Sequence, residues 1–174
     1  GNSPFSYDLY DKGGYTNITS IDYSENVIAA MRMKYPRLQW VCADMTKLND
    51  GDMFPADYFS CVIDKAAMDA LMSDEGDVWN PSVVVVESCW DMCRGISDVL
   101  KGEGYFLQIS FAQPHFRVKY LSGKHKKDLK ERGEGGCLVG EELDWGDDVR
   151  YESIFGDESC FGHFLYIMKK DGGG

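Results

Sequence analysis

The sequence predicts an α/β fold, with a mostly parallel sheet finished by an antiparallel hairpin. Three observations carry that expectation. Strand-like and helix-like segments alternate through the first two thirds of the 174 residues. Acids at Asp22, Asp44 and Asp64 end or closely follow three of the strand-like segments. Two late apolar runs, residues 148–155 and 161–169, read as antiparallel strands with a turn between them.

Each element has a local reason. Ser3 and Pro4 form a cap and first-position pair for a helix with Phe5, Leu9 and Tyr10 on its apolar face. Gly13 and Gly14 stop it. Residues 17–21 read as a strand ending at Asp22. Ser24 caps a helix carrying Val27, Ile28, Met31 and Tyr35 at helical spacing, ended by Pro36. Residues 38–42 form a short strand, and Asn49-Asp50-Gly51-Asp52 lies in a polar loop. Residues 58–63 form a buried-type strand ending at Asp64, and residues 66–72 continue as a helix.

The stretch 73–79 is acidic and loop-like. Pro81 opens a long helix reaching about Lys101, with the stripe Val86, Cys89, Trp90, Cys93, Ile96, Val99 and Leu100. The four valines from Val83 to Val86 alone fit a strand, but the helical stripe continues from them unbroken. Gly102 and Gly104 end that helix, and residues 105–111 make a further strand. Residues 122–136, with Lys124, Lys126, Lys127, Lys130 and Arg132, read as a charged surface loop. One domain over residues 1–171 is expected, with residues 172–174 as a disordered tail.

Composition narrows the function classes. Hydrophobic residues at 44% and aromatics at 13% argue for a folded core rather than a disordered chain. No apolar run approaches the ~20 residues of a membrane helix. The first ten residues lack the basic start and apolar block of a signal peptide. With 18 basic and 29 acidic residues the net charge is −11, which argues against non-specific nucleic-acid binding and favours a basic partner. The six cysteines include no C-x-x-C pair, so no metal site is expected. Cys42 and Cys61 read as buried, Cys89 and Cys93 as core packing, and the usage fits a reducing compartment such as the cytoplasm.

The acids are the informative feature. In an open parallel sheet the carboxyl ends of the strands line one crevice, where ligands bind. Asp22 is spaced for ribose hydroxyls, and Asp44 for the exocyclic amine of an adenine. A lone aspartate after a strand equally caps the next helix or turn. The spacing by itself does not separate a dinucleotide from another adenosine ligand, although no complete G-x-G-x-x-G is present.

Six stretches resemble the class I S-adenosylmethionine-dependent methyltransferases: Gly1-Asn2-Ser3, 15–24 (YTNITSIDYS), 40–45 (WVCADM), 62–71 (VIDKAAMDAL), 110–117 (SFAQPHFR) and 164–169 (FLYIMK). More narrowly, they are similar to the elongation factor 1-alpha lysine methyltransferases, of the endothelin-converting-enzyme-2-associated type. The resemblance implies a Rossmann-like sheet, mostly parallel with an antiparallel C-terminal strand. The first strand of that sheet, and the start of its glycine-rich loop, have no counterpart in this sequence. A second departure is Ala66-Ala67-Met68, where relatives commonly carry Gly-Thr-Leu or similar.

The resemblance also implies S-adenosyl-L-methionine as cofactor, with S-adenosyl-L-homocysteine as product. It places Gly1 and Asn2 near the methionine part, Asp22 with Tyr23 at the ribose, and Asp44 with Met45 at the adenine. Asp64 falls at the strand end facing the reacting methyl, where it orients the acceptor amine or accepts its proton. Phe111, Pro114 and Phe116 wall the acceptor channel, with His115 assisting the proton. Arg117 reads as one partner of a structural ion pair, and Lys65 as packing or pairing. Trp90 and Tyr105 are assigned to the core. The expected activity is N-methylation of a lysine on a basic protein such as a translation elongation factor, by a monomer. The alternative is an inactive cofactor-binding or protein-interaction module of the same fold.

Overall fold

The structure, a computed structural model, describes residues 1–48, 53–73, 81–124, 142–154 and 162–172. The loop at 49–52, the acidic stretch after Ser73, the basic stretch beyond Lys124, the turn after Ile154, the last two glycines, Cys137 and Cys160 lie outside the described residues. The chain divides into two compact units, Gly1–Leu48 and Asn49–Gly174.

The first unit holds α1 (Phe5–Asp11), β1 (Thr19–Asp22), α2 (Glu25–Lys34) and β2 (Gln39–Cys42), followed by a 3-10 turn at Met45–Lys47. Helix α1 starts one residue later than the Ser3-Pro4 pair predicts. Ser3 Oγ accepts from the Phe5 N–H at 3.3 Å, while the Pro4 carbonyl accepts the first helical bond from Asp8 at 2.9 Å. The cap of α2 is the expected one: Ser24 Oγ accepts from the Val27 N–H at 3.4 Å. β1 and β2 run parallel in register, Asp22 opposite Cys42. Ile28, Met31, Leu38 and Trp40 form the core, with Tyr7, Tyr10, Val27 and Tyr35 packed against it. The buried face of α1 is therefore set by Tyr7 and Tyr10, and Tyr7 stacks on Tyr35 with centroids 4.7 Å apart. Arg32 locks α2 to the strand by donating from Nη2 to the Trp40 carbonyl at 2.7 Å.

The second unit contains β3 (Phe59–Lys65), α3 (Ala67–Ser73), α4 (Val83–Val99), β4 (Leu100–Ser110), α5 (Pro114–Leu121), β5 (Arg150–Ile154) and β6 (His163–Lys169). Its sheet order is β3-β4-β6-β5. β3 and β4 are parallel, whereas β6 is antiparallel to both β4 and β5. Among the described residues β3 has a neighbour on one side only, as β1 does in its own sheet. Phe106, Gln108 and Ser110 share the buried face of β4, opposite Met168, Tyr166 and Phe164 of β6. The stripe on α4 is buried along its whole length, so the four valines are helical. Lys170 closes the far end, donating from Nζ to the Ser97 and Leu100 carbonyls at 2.8 and 2.9 Å.

Several expectations are corrected. α4 ends at Val99 and β4 begins at once, so Gly102 and Gly104 lie inside the strand rather than ending the helix. The backbone turns at Leu100, where φ is −75° and ψ is 139°. Tyr105 is 43% exposed, because β4 alternates and this residue points to the face opposite Phe106. Cys61, its cross-strand neighbour, is exposed for the same reason, and Cys42 is exposed as the last residue of β2. Cys89 and Cys93 are buried as expected, and burial pushes the Cys89 thiol up to about 12 and that of Cys93 further from ionisation. Gly172, placed in the tail by the sequence, is tied in through its N–H to Glu103 Oε1 at 3.1 Å. Helix α5 was not anticipated at all.

Candidate functional site: strand-end acids and the loop after β4

In the first unit the strand-end acids come together. β1 and β2 are adjacent and parallel, so residues after Asp22 and after Cys42 leave the sheet at the same end. The Asp22 carbonyl accepts from the Ala43 N–H at 3.0 Å, which fixes one strand end against the other. Asp22 Oδ1 accepts from the Ser24 N–H at 2.8 Å, and Oδ2 takes the amino group of Gly1. The segment that opens the chain is thereby held at the Asp22 carboxylate. Burial pushes that carboxyl up, but the bonds from Gly1 and Ser24 and the nearby positive charge outweigh it and leave it below the usual carboxylate range.

Asp44 caps the 3-10 turn and accepts at Oδ1 from the Thr46 N–H at 3.0 Å and the Thr46 hydroxyl at 2.8 Å. The bond from the Thr46 N–H, opposed by burial and helped by the hydroxyl and Lys47, lowers its pKa. Both acids are thus ionised acceptors at neutral pH. Tyr23 is 82% exposed beside them, and its carbonyl accepts from the Cys42 thiol at 3.4 Å. Met45 is half-buried at the start of the turn.

Asp64, in the second unit, is 5% exposed and heavily bonded. Its Oδ1 accepts from the Ala67 N–H at 2.6 Å, and its Oδ2 accepts from the Met68 N–H at 3.2 Å and Gln108 Nε2 at 2.8 Å. These are the bonds of a helix cap plus a tie to β4. Burial pushes its carboxyl up, against the pull of the bonds from Ala67, Gln108 and Met68 and of the Arg117 charge. Between Asp64 and α3, Ala66 holds φ at 63°.

The loop after β4 carries the remaining candidates. Phe111 is 62% exposed, Pro114 is the first residue of α5, and His115 is exposed with its ring 4.0 Å from that of Phe116. Arg117 does make a structural ion pair, as expected: it is 2% exposed and its Nη2 donates to Asp69 Oδ1. Sequence reasoning missed that partner. Asp69 sits inside an apolar helical stretch, and an isolated acid there was the only available signal. Lys65 is exposed and Trp90 lies in the core. Among the described residues no group of three His, Cys, Asp or Glu side chains could hold a metal ion.

The parallel pairs, with the antiparallel C-terminal strand of the larger sheet, have the Rossmann-like pattern of the class I S-adenosylmethionine-dependent methyltransferases. A SAM-dependent methyltransferase from Methanosarcina mazei has the same fold, at a TM-score of 0.57 and 15% identity, with 97% of this chain and 87% of that one covered. So does the N-methyltransferase NodS from Bradyrhizobium japonicum in complex with S-adenosyl-L-homocysteine, at a TM-score of 0.55 and 12% identity over 98% of this chain and 74% of that one.

Within that class, the chain is related to the eEF1A lysine methyltransferases. It is 37% identical over 125 residues to EEF1A lysine methyltransferase 4 of Mus musculus, covering 70% of this chain and 47% of that protein. It is 34% identical over 123 residues to the Homo sapiens eEF1A lysine and N-terminal methyltransferase, covering 68% of this chain and 16% of that one. The chain spans about half the length of the lysine methyltransferase 4 proteins it matches, 47% for the mouse protein and 48% for that of Bos taurus. No protein-family model matches the sequence.

Proposed function

We propose that this chain carries out S-adenosylmethionine-dependent N-methylation of a lysine on a basic protein, with translation elongation factor 1A the first acceptor to test. The observation that carries the reading is the pair Asp22 and Asp44 at neighbouring carboxyl ends of β1 and β2. The names of the related proteins supply the acceptor. The surplus of acidic residues suits a basic partner.

The residues fit the cofactor. Two ionised carboxylates at adjacent strand ends are acceptors for the ribose hydroxyls, at Asp22 with Tyr23, and for the adenine amine, at Asp44 with Met45. Gly1 and Asn2 are the residues proposed to face the methionine part, on the resemblance alone. When bound, the cofactor supplies a methyl group already activated on a sulfonium. The protein's task is then mostly alignment of the acceptor lone pair.

A lysine amine, with a reference pKa of about 10.4, is deprotonated only on the order of one part in a thousand at neutral pH. Phe111, Pro114 and Phe116 give it an apolar wall, which favours the neutral amine by desolvation. The aromatic faces of Phe111 and Phe116 also suit the positive charge that the acceptor gains. His115, exposed beside Phe116, takes the departing proton to solvent. Asp64, its oxygens filled by α3 and Gln108, holds the turn at this end of the strand and orients the acceptor amine through it.

The test is a labelled-methyl assay with the full chain, S-adenosylmethionine and purified elongation factor 1A. Label on a lysine of the factor is expected. Cofactor binding without label on any protein of a cell extract contradicts the reading.

A further inference from the structure

Two polar side chains hold the loop after β4, and both lie outside the unit that carries Asp22 and Asp44. Asp69, on α3, is 6% exposed. Its Oδ1 accepts from Ser110 Oγ at 2.6 Å and from Arg117 Nη2. Ser110 Oγ in turn accepts from the Ala112 N–H at 2.9 Å. Tyr166 of β6, fully buried, donates its hydroxyl to the Ala112 carbonyl at 2.6 Å. Both backbone groups of Ala112 are therefore fixed, and Arg117 fixes the helix that follows.

The form of the buried pair argues that it serves geometry more than stability. A two-pronged arginine–carboxylate contact would satisfy both carboxylate oxygens. Here Asp69 Oδ2 and Arg117 Nε are buried without a hydrogen-bond partner. An unpaired buried polar atom is costly, and a buried ion pair is often no more stabilising than an apolar replacement of similar volume. What the arrangement does achieve is convergence of Ser110 and Arg117 on one oxygen, with the loop between them.

We propose that Asp69 and Tyr166 are positioning residues for the protein acceptor: through Ser110, Arg117 and Ala112 they set Phe111 and Phe116 at the distance a lysine side chain requires. This rests on the lysine methyltransferase reading. It predicts a selective effect, because neither residue lies in the unit that holds Asp22 and Asp44.

Tyr166→Phe is the mild test, since it removes one hydroxyl from a buried ring and leaves the packing. Steady-state kinetics on the full chain with elongation factor 1A should show kcat/KM for the acceptor reduced about tenfold, with the Kd for S-adenosylmethionine within twofold of the parent. Ser110→Ala should do the same, and amides of residues 111–117 should exchange with solvent faster in both variants while those of α4 do not. An active parent whose two variants keep acceptor kcat/KM within twofold overturns the inference alone. A parallel loss of cofactor affinity and turnover also overturns it, by showing a merely structural role. A parent that binds S-adenosylmethionine but methylates no protein overturns the underlying reading and this inference with it.

Discussion

Asp44 does two things with one carboxylate. It caps the turn at Met45–Lys47 through Thr46, and the role proposed for it is to accept from an adenine amine. The capping role has a definite pH signature. Its folded-state pKa is lowered, by the Thr46 N–H foremost, so the charged form is favoured in the folded protein. The stability that this confers is fully present above the unfolded value of about 3.9 and is lost as pH falls through the lower folded value. Asp44→Ala should therefore cost on the order of 0.5 kcal/mol at pH 7, a modest cap at a half-exposed site, and less at a pH below that unfolded value. Urea unfolding of parent and variant at the two pH values measures it. An equal cost at both would mean that the side chain acts through packing. Asp22 obeys the same sign rule, but its amino-group partner Gly1 makes it the less clean probe.

The turn from β3 into α3 shows how an element is fixed and where it is strained. Asp64 caps α3 from the strand end, and Gln108 ties that cap to β4. The chain makes this turn by putting Ala66 in the left-handed region at φ 63°, a place suited to glycine. The glycine that the resemblance implies here has a physical reason, and the alanine costs roughly 1–2 kcal/mol in the folded state. Glycine would return part of that gain through a more flexible unfolded chain, about 0.4–1 kcal/mol. Ala66→Gly should thus raise stability by roughly 0.5–1 kcal/mol net, read as a higher urea midpoint with an unchanged slope. A lower midpoint would show that the Ala66 methyl group contributes packing that outweighs the strain.

Elements with a strong apolar period were legible in the sequence. α2 and α4 follow their stripes, and Ser24 caps α2 as read. α5 was not legible, because Pro114-His115-Phe116-Arg117 shows no apolar period and its buried anchor is an arginine whose partner lies 48 residues away. Burial of single strand residues was equally hidden. Tyr105 and Cys61 sit in apolar runs, yet which face of a strand is covered depends on helices elsewhere in the chain. The acids were found by spacing, but spacing does not distinguish an acceptor from a cap. In the structure Asp64 caps α3, Asp44 caps a 3-10 turn and Asp22 accepts from the Ser24 N–H, so all three acids serve local structure.

At the scale of the whole molecule, charge and topology point the same way. A net charge of −11 gives a field that attracts basic proteins, and the parallel pair β1 and β2 brings its two carboxyl ends to one edge. No helix among the described residues is long and apolar enough to cross a membrane. Asp22, at the end of β1, and Asp44, two residues beyond β2, are proposed to grip a nucleoside. Calorimetric titration of S-adenosyl-L-homocysteine into the full chain at neutral pH tests this proposal most directly, with NAD as the control ligand and Asp22→Ala as the control protein. Saturable binding of the homocysteine compound, none of NAD, and a loss of at least a hundredfold in affinity in Asp22→Ala are expected. An alanine variant that binds as tightly as the parent contradicts the account.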